Sequence, residues 1–138
     1  MRKKTLLLNA GILFLTTVII LTSETVVAQL PDLTIDDFKG GIYASAVISN
    51  KGDTNATNIH WNTQITGEHL FFSKNTSGII PVLTPNASMI IKTGPALGLG
   101  KIFINATATC AEGVNITVFG KGLLLLFLMV RLSIEPIP

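Results

Sequence analysis

The sequence has little cysteine and little charge, and each shortage excludes a class of protein. Cys110 is the only cysteine, so no disulfide can form within the chain. Only 13% of the residues are charged, and the formal net charge is +2. Without residues 1–28, seven basic side chains balance seven acidic ones. A neutral balance predicts no attraction to nucleic acid or to anionic lipid.

Motifs for catalysis are missing as well. No serine lies in a Gly-x-Ser-x-Gly elbow, and no pair of carboxylates suggests an acid and a base. The glycine-rich stretch 94–100 (GPALGLG) has neither the Lys-Ser/Thr of a phosphate loop nor a strand-to-helix context. We therefore predict that the protein is not an enzyme.

Metal binding has weak support from the sequence. His60 and His69 are the only histidines, and no cysteine or carboxylate joins them at metal-ligand spacing. They are interpreted as solvated residues of neighbouring strands. Asp36, Asp37 and Asp53 could gather around Ca²⁺, but they lack the spacing of a calcium loop. We predict neither a metal nor a cofactor.

The first 28 residues have the layout of a secretory signal peptide. Arg2, Lys3 and Lys4 precede an apolar run over 6–21, and Val26 and Ala28 provide a small-residue cleavage site. The alternative is an uncleaved N-terminal membrane anchor, although the run of about 16 residues is short for a span. Cleavage after Ala28 leaves 110 residues, the size of one domain, at the extracellular face or secreted.

From residue 33 onward, apolar and polar side chains alternate between turn residues, which predicts strands. Eight segments show the pattern: 33–38, 42–49, 58–66, 69–73, 79–83, 89–93, 101–110 and 114–119. The pattern places Ile42, Ala44, Ala46 and Ile48 on one face. Pro81 marks 79–83 as an edge strand or connection. Residues 94–100 contain too much glycine and proline for either element.

The predicted fold is an all-β, Ig-like antiparallel sandwich of seven to eight strands over residues 29–121. Ile59, Trp61, Thr63 and Ile65 share one face of their strand and are expected to pack in the core. Cys110 is expected to be a small buried residue at a strand end.

Residues 122–138 depart from the alternating pattern. An uninterrupted apolar run there is interpreted as one final strand, with one side in the core and the other under a loop, before a proline-containing tail. The alternative is a contact surface: for a second subunit, for a membrane, or as a strand edge to be paired. The run consists of Leu123, Leu124, Leu125, Leu126, Phe127, Leu128, Met129 and Val130.

Five Asn-x-Ser/Thr triplets exceed the one or two expected by chance among eight asparagines after residue 28. They predict N-glycosylation in a host with the machinery. The candidate sites are Asn55, Asn75 and Asn86 in turns, and Asn105 and Asn115 on strands. The alternative is that Asn and Thr merely suit turns and solvated strand faces.

Four stretches resemble the cell-adhesion-related (CARDB-type) Ig-like family: PDLTI (31–35), AVISNKGDTNATNIHW (46–61), VLTPNASMII (82–91) and GKIFINATA (100–108). The second contains the family's turn with Asn50 and Gly52. Pro85-Asn86 stands where that family often has glycine. The resemblance implies an extracellular, non-catalytic sandwich that serves as an adhesive or accessory module.

Two function classes therefore remain open. The favoured one is an exported, glycosylated module that binds an unidentified surface protein or glycan, or is structural, and that attaches to a membrane if its N-terminal segment is retained. The rival is a self-associating subunit of a filament or surface layer that assembles through residues 123–130. The tripeptide 51–53 (Lys-Gly-Asp) resembles an integrin-recognition motif, but it is interpreted as an ordinary turn.

Overall fold

The computed structural model describes residues 27–135, and the described chain consists mostly of strands. Residues 1–26 of the predicted signal peptide or anchor (1–28) lie outside the described residues, as do Pro136 and Pro138 of the tail. Between 27 and 135 there is no helix. The strands are β1 (Leu33–Lys39), β2 (Ser45–Asn50), β3 (Ala56–Gly67), β4 (Leu70–Ser73), β5 (Thr76–Leu83), β6 (Ser88–Lys92), β7 (Ala96–Thr109), β8 (Asn115–Leu126) and β9 (Leu128–Glu135).

Two antiparallel sheets pack face to face. One has the order β1-β2-β6, and the other has the order β5-β3-β7-β8-β9, with β4 paired to the first residues of β7. The predicted all-β antiparallel sandwich is confirmed, with nine strands in place of seven to eight. The edge position predicted for 79–83 is also correct, since these residues lie in β5 at one edge of the larger sheet.

The core lies between the sheets and follows the alternation of side chains. Ile59 and Ile65 are buried, as predicted, and Trp61 is half-buried against the core. The indole of Trp61 lies over Gly78 of β5, where an added Cβ would come within 2.8 Å of the ring. Cys110 is buried directly after β7 and has a free thiol, which agrees with the prediction of a small buried residue. Every buried apolar residue of the core cluster lies between residues 33 and 129, so a chain from Gln29 onward contains that cluster entirely.

Asn50 fastens three segments at one end of the sandwich. Its side chain is fully buried. Its amide nitrogen donates to the carbonyl oxygens of Thr54 (2.7 Å) and Leu83 (2.9 Å). Its Oδ1 accepts from the backbone N–H groups of Asp32 (3.2 Å) and Gly52 (3.1 Å). Asn50 therefore ties the start of β1 and the end of β5 to the β2–β3 turn.

Two local predictions were wrong. Residues 96–100 form the first part of β7, because β4 and β8 pair with them on either side and supply hydrogen-bond partners that composition does not reveal. A Cβ on Gly98 would come within 2.5 Å of the His69 carbonyl oxygen, so glycine there permits the close pairing. Ile42 is not on the core face, because β2 begins only at Ser45 and Ile42 lies in the bend before it, 60% exposed.

The apolar run after residue 122 is not a single final strand. It completes β8, turns at Leu126-Phe127 and returns as β9, with Leu125 paired to Leu128. The boundary expected at residue 122 lies inside β8. The hairpin was missed because its turn contains none of the residues that normally mark one.

Candidate contact surface at the apolar end

The strand order divides the connections between two ends of the sandwich. The β1–β2, β3–β4, β4–β5, β6–β7 and β8–β9 connections lie at one end, and the β2–β3, β5–β6 and β7–β8 connections lie at the other. We name these the apolar end and the turn end. They differ in side chains and in charge.

Large apolar side chains at the apolar end face solvent, with between 47% and 74% of each side chain exposed. They are Ile42, Tyr43, Phe71, Phe72, Leu99, Leu125, Leu126, Phe127 and Leu128. Exposed apolar patches of this kind mark contact surfaces in proteins.

Strand pairing makes these side chains neighbours. Leu99 is paired to Leu125, and Leu125 to Leu128, so the three lie side by side on the outer face. The backbone of Gly41 exchanges hydrogen bonds of 2.9 and 2.8 Å with Met129, which brings the β1–β2 connection beside the hairpin. β4 pairs with the start of β7 on the side opposite β8. The segments that carry the exposed apolar side chains are therefore neighbours at this end.

The tip of the β8–β9 hairpin is both apolar and strained. Leu126 has φ 60°, in the left-handed region that two-residue hairpin turns require and that glycine or asparagine normally supplies. Such a conformation costs a bulky residue on the order of 1–2 kcal/mol. The side chain of Leu126 is 57% exposed and gains little from burial to offset this cost. Backbone stability alone therefore does not explain leucine here.

The eight residues predicted as a contact surface divide between the core and the surface. Leu124 and Met129 are buried in the core, and Leu123 and Val130 are half-buried. The remaining four lie exposed at the tip, in the run 125–128. Sequence reasoning missed the exposed residues on other connections, among which only the Phe71-Phe72 pair breaks the alternation of its strand.

Three cationic side chains line a depression behind the patch on the outer face of the larger sheet. Its volume is about 210 Å³, and its walls include Lys101, Lys121, Arg131 and the apolar side chains of Phe103 and Leu123. A bulge in β9, at which Arg131 adopts φ 54°, shifts the pairing with β8 beside this depression. Lys121 forms an ion pair with Glu135, whereas no described acidic side chain lies within salt-bridge distance of the other two cations.

The formal charges of residues 27–135 cancel in number but are separated in space. Apart from the Lys121–Glu135 pair, the half of the sandwich toward the apolar end holds five basic and two acidic side chains, a charge of +3. The half toward the turn end holds one basic and four acidic side chains, a charge of −3. The members of the first half are Lys39, Lys74, Lys92, Lys101, Arg131, Asp37 and Glu68. Those of the second are Lys51, Asp32, Asp36, Asp53 and Glu112.

The five candidate glycosylation sites are distributed unevenly. Asn55, Asn86 and Asn115 are exposed at the turn end, and Asn75 is exposed beside β5. Asn105 lies in the middle of the outer face of β7 and is half-buried, with its amide oxygen enclosed and without a hydrogen-bond partner. None of the five lies within the apolar patch, and their modification remains a prediction.

The residues considered for metal binding are scattered. His60 and His69 are both exposed, the first on the outer face of β3 and the second in the β3–β4 turn. Asp36 forms an ion pair with Lys51 at 3.1 Å, which also engages the lysine of the Lys-Gly-Asp tripeptide. Asp53 is exposed in the β2–β3 turn. Within 27–135, no group of three or more His, Cys, Asp or Glu side chains is placed to hold a metal ion.

Glu112 anchors the β7–β8 turn. Its carboxylate accepts hydrogen bonds from the hydroxyl of Thr57 and from the Thr57 backbone N–H (3.0 Å), and these two contacts, in that order, lower the pKa of Glu112 to about 2. The contact fastens the start of β3 to the turn end. It gives the carboxylate a structural role.

Comparisons with known proteins provide no family for this chain: no family model, no curated protein and no solved structure matches it. Within residues 27–135, no helix has the length and apolar character needed to cross a membrane.

Proposed function

We propose that this chain is an exported, non-catalytic Ig-like module that works by contact through its apolar end, at the cell surface or after secretion. The sequence supports export through the signal-like layout of residues 1–28. The four stretches that resemble CARDB-type modules support an adhesive or structural role, and the partner they imply is a surface protein or a glycan.

The strand order supports the Ig-like part of the proposal. Ig-like sandwiches place the first, second and fifth principal strands in one sheet, and the third, sixth and seventh in the other. Here β1, β2 and β6 occupy the first set of positions, and β3, β7 and β8 occupy the second. β4 and β5 take the place of the variable strands between the two sets, and β9 is an addition at the edge.

The observation that carries the proposal is the exposed apolar end itself. The hairpin tip places leucine and phenylalanine in solvent at a turn where glycine or asparagine would be more stable. An exposed apolar side chain on a strained backbone supports a role in contact with a partner, since it contributes little to folding stability.

Export is tested by expressing the full chain in a cell with a secretory pathway and measuring the mass of the recovered protein. The proposal expects protein outside the cell or at its outer face, beginning at Gln29 or, if the anchor is retained, uncleaved. Full-length protein that stays in the cytoplasm would contradict it. Replacing Leu15 with Arg interrupts the apolar run of the leader and should abolish export.

The alternative is a subunit that assembles through β9, which is an edge strand of the larger sheet. Removing residues 122–138 would not isolate this property, because the deletion takes away Leu124 and Met129 of the core. Light scattering on the unsubstituted chain 29–138 and on its Leu126→Gly variant tests assembly without that damage. If the unsubstituted chain forms concentration-dependent polymers and the variant does not, the subunit is favoured. If both proteins are monomers, the module is favoured.

A further inference from the structure

We propose that the apolar end docks on the interface of an anionic lipid bilayer, with Leu126 and Phe127 entering the acyl boundary and with Lys101 and Arg131, the two cations of the depression outside the Lys121–Glu135 ion pair, contacting lipid phosphates. The inference rests on the proposed function, because it concerns the same contact surface, and it assigns lipid to that surface in place of a surface protein or glycan. It also departs from the expectation based on net charge: the charges of the described residues sum to zero, but opposite charges lie at opposite ends.

The side chains of the apolar end have the composition of a membrane interface. Leucine and phenylalanine occupy the hairpin tip, and Tyr43 lies exposed in the adjoining β1–β2 connection. Apolar side chains partition into the acyl boundary, while tyrosine favours the headgroup level, where its ring is apolar and its hydroxyl is hydrated. The strain at Leu126 becomes understandable if the side chain is buried after docking.

The cations lie at the depth that docking requires. Lys101 follows Leu99 by two residues on the same face of β7, a distance of about 7 Å along the strand. Interfacial segments bury their apolar face about 5–10 Å into the bilayer boundary. Insertion of the tip therefore brings the ammonium group of Lys101 to the phosphates, with Lys121 and Arg131 beside it around the same depression.

Charge and apolar character together favour lipid over a second copy of the chain. In a symmetric contact between two apolar ends, the two halves with charge +3 would face each other and repel. In a head-to-tail contact, the opposite charges of the two ends would attract, but the patch would cover the turns 51–55 and 110–114, which expose no large apolar side chain. An anionic bilayer satisfies both the apolar side chains and the cations that surround them.

The test uses the chain 29–138, which contains the whole core cluster, in flotation with vesicles of phosphatidylcholine alone and with vesicles that include about 30% phosphatidylglycerol. The proposal expects at least tenfold stronger binding to the anionic vesicles, and a large loss of that binding in about 0.5 M NaCl. Equal binding to both kinds of vesicle, or none to either, would overturn it.

Two variants separate docking from folding. Leu126→Gly removes an apolar side chain and relieves the strained φ, so thermal stability should be unchanged or higher while anionic-vesicle binding falls roughly tenfold. Val82→Ser is the matched control, because Val82 is an exposed apolar residue near the turn end. It should leave binding unchanged, and equal losses in both variants would contradict the proposal.

Arg131→Asn tests the cations, since asparagine tolerates the positive φ of this position while it removes the charge. We expect anionic-vesicle binding to fall roughly fivefold, with no change for Lys51→Gln at the turn end. Unchanged binding with Arg131→Asn would overturn the contact with phosphate. If the chain fails to bind vesicles but forms dimers that Leu126→Gly abolishes, the lipid inference is wrong and the contact surface of the proposed function stands.

Discussion

Asn50 should be the polar side chain whose loss destabilises the sandwich most. Asn50→Ala would remove four hydrogen bonds and leave two N–H donors and two carbonyl acceptors without their partner. The Leu83 carbonyl is buried, so leaving it without a hydrogen bond would cost about 1–3 kcal/mol. The other three former partners of Asn50 lie partly within reach of water, and leaving them without their bonds would cost less. We expect a total loss of about 3–5 kcal/mol, a large share of a typical domain stability of about 5–15 kcal/mol.

Urea unfolding of the chain 29–138, followed by the fluorescence of Trp61, measures this loss. Trp61 is the single tryptophan and lies half-buried against the core, so its emission should report loss of the sandwich. Asn62→Ala is the matched control, because Asn62 is exposed on the outer face of β3, and its effect should stay within about 0.5 kcal/mol. The reasoning would be refuted if Asn50→Ala lowered the free energy of unfolding by less than about 1 kcal/mol while the dependence of that free energy on urea concentration stayed unchanged.

The chemistry of the site gives a second test at the same position. Asn50→Asp keeps one oxygen acceptor but places the other oxygen against the carbonyl groups of Thr54 and Leu83. The buried carboxylate would be unfavourable at neutral pH, and its protonated form could donate one of the lost hydrogen bonds. The variant should therefore be more stable near pH 4 than near pH 7, relative to the unsubstituted chain at each pH.

Three further predictions concern other contacts. Because the folded-state pKa of Glu112 is about 2, below its usual value of 4.5, its contribution to stability is full above that usual value and is lost as the pH falls toward 2. Glu112→Gln should thus lower the melting temperature near pH 7, and the two melting curves should converge near pH 2. Gly78→Ala should cost about 1–3 kcal/mol and shift the emission of Trp61, because the new Cβ meets the indole ring; an unchanged spectrum and stability would contradict this. In a host that glycosylates, tandem mass spectrometry of peptides cleaved after lysine and after glutamate, which separates Asn105 from Asn115 at Glu112, should find Asn105 less occupied than the four exposed candidate sites; full occupancy there would show that the outer face accommodates a glycan.

The fold could be predicted from the sequence wherever one strand face is buried and the other is solvated. β3 is the clearest case, since Ile59 and Ile65 alternate with polar residues and both are buried. The alternation failed for the start of β7, because glycines there adapt the backbone to two neighbouring strands that no local pattern announces. It also failed for the β8–β9 hairpin, where apolar residues occupy the core face, the outer face and the turn alike.

The candidate contact surface could be predicted only in part for a related reason. Composition showed the apolar run 123–130, but which of its residues face solvent depends on the position of the turn at Leu126-Phe127. The prediction about lipid rested on net charge, which contains no information on position, whereas the proposal of lipid docking rests on where the charges lie. The role of Asn50 was hidden as well, since its partners Asp32 and Leu83 lie 18 and 33 residues away along the chain.

The course of the chain before β1 has a consequence for adhesion. The hydroxyl of Thr54 in the β2–β3 turn donates to the carbonyl oxygen of Gln29 at 3.4 Å, so the polypeptide reaches β1 from the turn end, opposite the β8–β9 hairpin. β7 runs from the β6–β7 connection at the apolar end to the β7–β8 turn at the turn end. A copy that keeps the N-terminal segment as a membrane anchor would present its apolar end outward, away from its own cell and toward a neighbouring one. A released copy would have no such preferred direction.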